Sequence, residues 1–163
     1  MASNEAKTEY YVGFLGGIWE SLGKYAYPLM RITCGALLIP HGYVKLFGGA
    51  AKGTAFFMAM TLGGHGKAGA GPFAESWLPV TYYIGALELV GGALLVVGLL
   101  TRVVAIQVVI FMFVGMAMVH WNFGFFWNKA GYEMPLMWML LAIVVLIRGG
   151  GDYSIDKKLG KEF

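Results

Sequence analysis

"IGALELVGGALLVVGLLTR", residues Ile84 to Arg102, is apolar throughout but for one carboxylate, Glu88, until Thr101 and Arg102 close it. A run of that length and character reads as a membrane span, and the rest of the chain agrees. With 58% hydrophobic and 13% charged residues in a length of 163, there is too little polar surface to clothe a water-soluble globule. The chain therefore reads as an all-α integral membrane protein, folded as a four-helix bundle in one domain covering 1–163.

Working outward from that stretch, spans are expected at about 28–47, 79–100, 101–120 and 132–148, with a long outer loop over 48–78. The second and third are joined only by "LLTR", so they form a tight antiparallel hairpin in which Leu100 ends one helix and Thr101 caps the next. Before the first span, Val12, Leu15, Ile18, Trp19 and Leu22 recur at three- and four-residue spacing, with Glu20, Ser21 and Lys24 opposite. That pattern predicts an N-terminal amphipathic helix lying in the membrane interface. The opening "MASNEAKTEYY" lacks the basic start of a cleaved signal peptide.

Lysines and arginines set the expected orientation. With both termini inside, Lys7, Lys24, Arg31, Arg102, Arg148, Lys157, Lys158 and Lys161 fall on the cytoplasmic side, and only Lys45, Lys52, Lys67 and Lys129 outside. This excess predicts a multi-pass protein of the cytoplasmic membrane, N-in and C-in, with Arg31, Arg102 and Arg148 as inner anchors.

The single cysteine, Cys34, excludes an intrachain disulfide, a CxxC redox pair or a cysteine-held iron–sulfur cluster. A net charge of +3 without a basic arm argues against nucleic acid. "GGHGKAGAGP" around His65 lacks the phosphate-loop pattern and reads as a flexible part of the outer loop.

The polar groups inside the spans carry the chemistry. At ~1.5 Å per residue, His41 lies roughly 5 Å outward of the middle of the first span and Glu88 about 3 Å outward of the middle of the second. Lys45 is one turn beyond His41. Gly85, Gly91 and Gly92 lie three and four residues from Glu88, so this carboxylate projects where a neighbouring backbone approaches closely, into the bundle. A carboxylate in lipid is costly unless protonated or paired, with Lys45, Arg31 or a histidine as partner. His120 closes the third span. Glu133 opens a fourth of ~16 residues, about 24 Å long, which draws it below the outer surface. "HWNFGFFWNKAGYE" sets five aromatics within seven residues at the same mouth, a candidate surface for a flat ligand. The plain alternatives are an ion pair that only pins two helices, a lysine reaching for headgroups, and interfacial polar residues at His120 and Glu133.

"RITCGALLIPHGYVKLFG", "GALELVGGALLVVGLLTR" and "GYEMPLMWMLLAIVVLIRGGGDYSID" together resemble the DoxX family of four-helix membrane proteins. The resemblance rests on Arg31, His41-Gly42-x-x-Lys45, Glu88 with its glycines and Thr101-Arg102, Gly131-Tyr132-Glu133, and Gly151-x-Tyr153-Ser154-x-Asp156 in this order. It implies quinone-linked electron transfer, since the family includes a subunit once assigned to a terminal quinol oxidase and relatives that form thiosulfate:quinone oxidoreductase.

The expectation is therefore a quinone-interacting subunit of a membrane oxidoreductase. In it His41 and Lys45 donate to ring carbonyls, Glu88 and Glu133 exchange protons, and Trp121 with Phe123 supply stacking beside His120. A soluble or membrane redox partner brings the electrons, and oligomers are possible. Two further expectations stand beside this one: a b-type haem held by His41 and His120, with no other metal site, and a non-catalytic membrane anchor or assembly partner.

Overall fold

The computed structural model describes residues 10–64 and 66–162, so Lys7 and His65 lie outside the described residues. Among the described residues all regular structure is helical. The helices are α1 (Gly13–Leu46), α2 (Ala51–Thr61), α3 (Gly66–Phe73), α4 (Leu78–Ala86), α5 (Gly92–Val97), α6 (Thr101–Val114), α7 (Glu133–Arg148) and α8 (Ile155–Leu159). A π-helical turn, Leu87–Gly91, joins α4 to α5, and a second, Gly115–His120, extends α6. Among the described residues two stretches, Gly69–Val97 and Thr101–Phe123, are long and apolar enough to cross a membrane. α1 is longer still but carries Arg31 and Lys45, while the 16 residues of α7 reach only about 24 Å.

α1 packs on α4 and α5, and α6 packs on α7. Cys34, Leu38, Leu87, Leu95, Val108 and Val145 meet in the core. Outward faces are apolar too: Leu29, Ile110, Leu140 and Ile147 are each more than half exposed. Helices apolar on both faces suit a surrounding that is itself apolar.

Glycines set the approach of α1 to α4 and α5. A Cβ on Gly92 would stand 2.7 Å from the Gly35 carbonyl oxygen, and one on Gly42 would stand 2.5 Å from that of Gly85. Each helix thus presents a pair of glycines seven positions apart, which lets the backbones touch. The pairing of 35 with 92 and of 42 with 85 makes the two antiparallel and fixes their register.

Three expectations are corrected. Residues 13–27 are not a separate interfacial helix but the first half of the unbroken, 34-residue α1, with Pro28 inside it. At ~1.5 Å per residue that helix measures about 51 Å, well over a ~30 Å hydrocarbon core. The expected loop 48–78 is largely helical: Ala51, Ala55, Met58 and Ala59 form the buried face of α2, and Thr81 of α4 donates to Met58 Sδ at 3.7 Å. The spacing of those four residues is helical, but the glycines and lysines around them mask it.

The third correction concerns the inner end. Leu100, not Thr101, is the residue before α6, and no side chain of its own caps the helix. Asp156 does so from across the bundle, accepting from Leu100 N and Thr101 N at 2.9 Å each. Arg31 is no exposed anchor either. It is fully buried, donating to the carbonyls of Leu95 (2.9 Å) and Tyr153 (2.7 Å), where a cation meets the C-terminal turn of α5. The Gly151–Asp156 segment is thus a clasp that fastens both helix ends at the α5–α6 turn.

Candidate ligand cavity

The glycine-set register brings Lys45 of α1 opposite Glu88 of the first π-turn. Lys45 Nζ donates to both carboxylate oxygens, at 2.9 and 2.7 Å. The Glu88 side chain is 5% exposed and that of Lys45 16%, so the pair is largely out of solvent. Gly85 and Gly92 flank Glu88 on the side facing α1, whereas Gly91 turns toward Val104 of α6. Lys45 accordingly reaches inward to the carboxylate and does not extend toward headgroups.

His120 ends the second π-turn. Its Nδ1 lies 2.6 Å from the Ala130 carbonyl oxygen. A carbonyl only accepts, so Nδ1 carries the proton, and Nε2 is left as the exchangeable nitrogen. The Phe57 ring of α2 stands 6.4 Å from the imidazole. Each of the two π-turns therefore carries a titratable side chain, and such turns recur at functional sites because the extra residue re-aims its neighbours.

Both turns open on one cavity of about 300 Å³, whose wall contains His41, Glu88 and His120 together with Phe111, Trp127 and Trp138. A second cavity of about 190 Å³ adjoins it, bounded by Lys45, Thr54, Phe57, Ile84, Gly115 and Val119. The two share Phe111, Met112, His120 and Pro135 in their walls. Together they fall within the ~300–1,000 Å³ range of small-molecule sites, apolar with a few polar groups.

Of the residues singled out in the sequence, His41, Glu88 and His120 are brought together, with Lys45 behind Glu88. Glu133, Trp121 and Phe123 are not part of either wall. Glu133 Oε2 accepts from Trp127 N at 3.0 Å and so fastens the aromatic loop, and Trp121 stacks on Tyr132 with centroids 5.0 Å apart. The loop doubles back through Tyr132 N to Gly124 O and Glu133 N to Phe125 O, which turns Tyr132 onto Trp121. Trp127 and Trp138 take the wall positions instead. Helical spacing carries part of that signal: Pro135 and Trp138 lie three apart on α7, and Phe111, Gly115 and Val119 lie four apart along α6.

Helices apolar on both faces, with a buried ion pair between them and an aromatic-lined pocket beside it, define a helical membrane protein with a ligand-sized site. Residues 27–121 match the DoxX family, and the chain belongs to it. It is also similar to an uncharacterized protein of Haemophilus influenzae, 29% identical over 95 residues, a match covering 56% of this chain and 63% of that relative. The chain thus spans less than two thirds of the length of that curated relative. No solved structure matches it.

Proposed function

We propose that this chain is a quinone-interacting subunit of a membrane oxidoreductase, crossing the cytoplasmic membrane as a four-helix bundle with both termini inside. The observation that carries this is the convergence of Glu88 and His120, each on a π-turn, upon one cavity walled by Phe111, Trp127 and Trp138. The polar set suits a planar ring whose oxygens alternate between carbonyl and hydroxyl: the aromatic walls accept its faces, His41 can donate to a carbonyl, and His120 Nε2 and Glu88 can accept from a hydroxyl. A quinone, when bound, supplies two-electron, two-proton chemistry. His41 would donate to one ring oxygen of the quinone, His120 Nε2, being unprotonated, would accept from a ring hydroxyl of the quinol form, and Glu88 would hold or release a proton at its carboxylate while Lys45 keeps that group in place. A redox partner brings the electrons.

The test is binding by the purified protein of a ubiquinone analogue, alongside the melting temperature in detergent. Glu88→Gln is expected to fold normally, because the amide oxygen still accepts from Lys45, and to bind the reduced, quinol form of that analogue at least about tenfold more weakly, because a carboxylate accepts from a ring hydroxyl better than an amide does. His41→Ala is expected to lose binding in the same sense. Equal affinity in wild type and both variants, or none in any of them, sinks the site and leaves the anchor reading. A haem between His41 and His120 is the second reading, favoured by the His120 Nδ1 bond to a carbonyl, an arrangement common in ligating histidines. A Soret band abolished by changing either histidine would replace the quinone with haem.

Orientation rests on the inner cluster of Arg102, Arg148, Lys157, Lys158 and Lys161, which outweighs Lys45, Lys52, Lys67 and Lys129 even with the buried Arg31 set aside. Native Cys34 is fully buried and silent to labelling reagents. Cysteines introduced at Lys129 and Lys157 are expected to label from outside intact cells only at Lys129. Labelling at Lys157 would invert the topology.

A further inference from the structure

We infer that the two adjoining cavities divide one ligand between them, the His41–Glu88–His120 cavity taking a polar ring and the Gly115 cavity taking an attached hydrocarbon chain, so that the site selects a prenylated, lipid-borne quinone over a free ring. This rests on the quinone reading above. The division follows from which polar groups are free. In the smaller cavity, Lys45 is committed to Glu88, and the Thr54 hydroxyl donates to the Ala50 carbonyl at 3.1 Å. What remains there is Phe57, Met58, Ile84, Met112 and Val119, a surface that gains by covering hydrocarbon and has little to offer an oxygen. The larger cavity holds the opposite set: His41, both tryptophans, and the Glu88 carboxylate, whose oxygens accept from Lys45 and still keep lone pairs for a further donor. His120 stands in both walls, at the point where a ring would become a chain.

Gly115 supplies the handle. It opens the second π-turn, lines the smaller cavity, and a Cβ built there would have no atom within 4 Å. A larger side chain at 115 therefore projects into the chain compartment without displacing the fold, and replacing a helical glycine favours the helix.

The experiment compares two probes on the whole protein in detergent: dimethoxy-methyl-benzoquinone without a chain, and the same ring with a decyl chain. Dissociation constants are read from quenching of tryptophan fluorescence. Wild type is expected to bind the decyl probe at least tenfold more tightly than the bare ring. In Gly115→Leu that advantage disappears, the decyl probe losing at least tenfold more affinity than the bare ring, and the melting temperature is equal or higher. Val119→Phe, which narrows the same compartment from one turn further along, is expected to repeat the result should Gly115→Leu fold poorly. An undiminished decyl advantage in both variants overturns the assignment, as does an equal loss for both probes, which would put the ring in the smaller cavity. Wild type that binds both probes equally well also overturns it while leaving the quinone reading intact. Wild type that binds neither overturns both.

Discussion

Lys45→Met is expected to destabilise the protein by roughly 3–5 kcal/mol, the range for removing one partner of a buried ion pair. The substitution leaves the carboxylate of Glu88, whose side chain is 5% exposed, facing a methyl group in the crevice between α1 and the first π-turn. Among the described residues no other cation bonds to it, since its hydrogen bonds both come from Lys45. The reverse substitution, Glu88→Gln, is milder, because the amide still accepts from Lys45 and the ammonium has a partial route to water. The asymmetry identifies the effect. If Lys45→Met destabilises strongly, Lys45→Met/Glu88→Gln should recover more than half of the loss, since the double variant buries no charge. Unfolding in mixed micelles is the measurement. A Lys45→Met cost below about 1 kcal/mol would mean that the pair is solvated, in the range of surface ion pairs.

That pair was also the part of the site most legible in the sequence. Depth along a helix is a linear count, so the span boundaries alone set His41 and Glu88 at nearly one depth with Lys45 a turn further out, and leave Lys45, Arg31 or a histidine as the partner of Glu88. The glycines beside Glu88 gave its face, for only a close backbone makes a run of glycines useful there. The all-helical character followed as directly, because apolar runs longer than a strand leave no other reading. The ends expected at 132–148 match α7 to within a residue, and those at 101–120 match α6 only with the second π-turn counted as its continuation.

Long-range contacts and local irregularity were not legible. Asp156 reaches Leu100 and Thr101 across more than fifty residues, and Arg31 reaches Tyr153 across more than a hundred, so neither pattern has a local period to detect. The π-turns add one residue to a helix without any residue type that demands it, yet they decide where Glu88 and His120 point. The place of Trp127 in the wall instead of Trp121 and Phe123 has the same origin: a loop with five aromatics announces an aromatic surface, but the backbone bonds from Tyr132 and Glu133 choose which ring borders the cavity, and Trp138 joins it from α7. Arg31 misled because an arginine near the inner end of a span is ordinarily read as facing water, whereas here two carbonyls receive it.

The same substitution at two glycines of α1 is expected to give opposite results. At Gly23, where a Cβ would have no atom within 4 Å, alanine should stabilise the protein by about 0.5–1 kcal/mol, by reducing the freedom of the unfolded chain and favouring the helix. At Gly42 the new methyl would stand 2.5 Å from the Gly85 carbonyl oxygen and 2.8 Å from Leu89 Cβ. Neither is a flexible side-chain end that can swing away, so α1 must move off α4, at a cost of roughly 1–3 kcal/mol for overpacking. The displacement has a second consequence. Lys45 lies less than one turn beyond Gly42, and its two bonds to Glu88 depend on that approach. Gly42→Ala should therefore lose quinone affinity along with stability, while Gly23→Ala keeps the first and gains in the second. Both alanines stabilising the protein would mean that α1 and α4 do not touch at Gly42 and Gly85. The register that sets Lys45 against Glu88 would then be wrong as well, because it rests on the same contact.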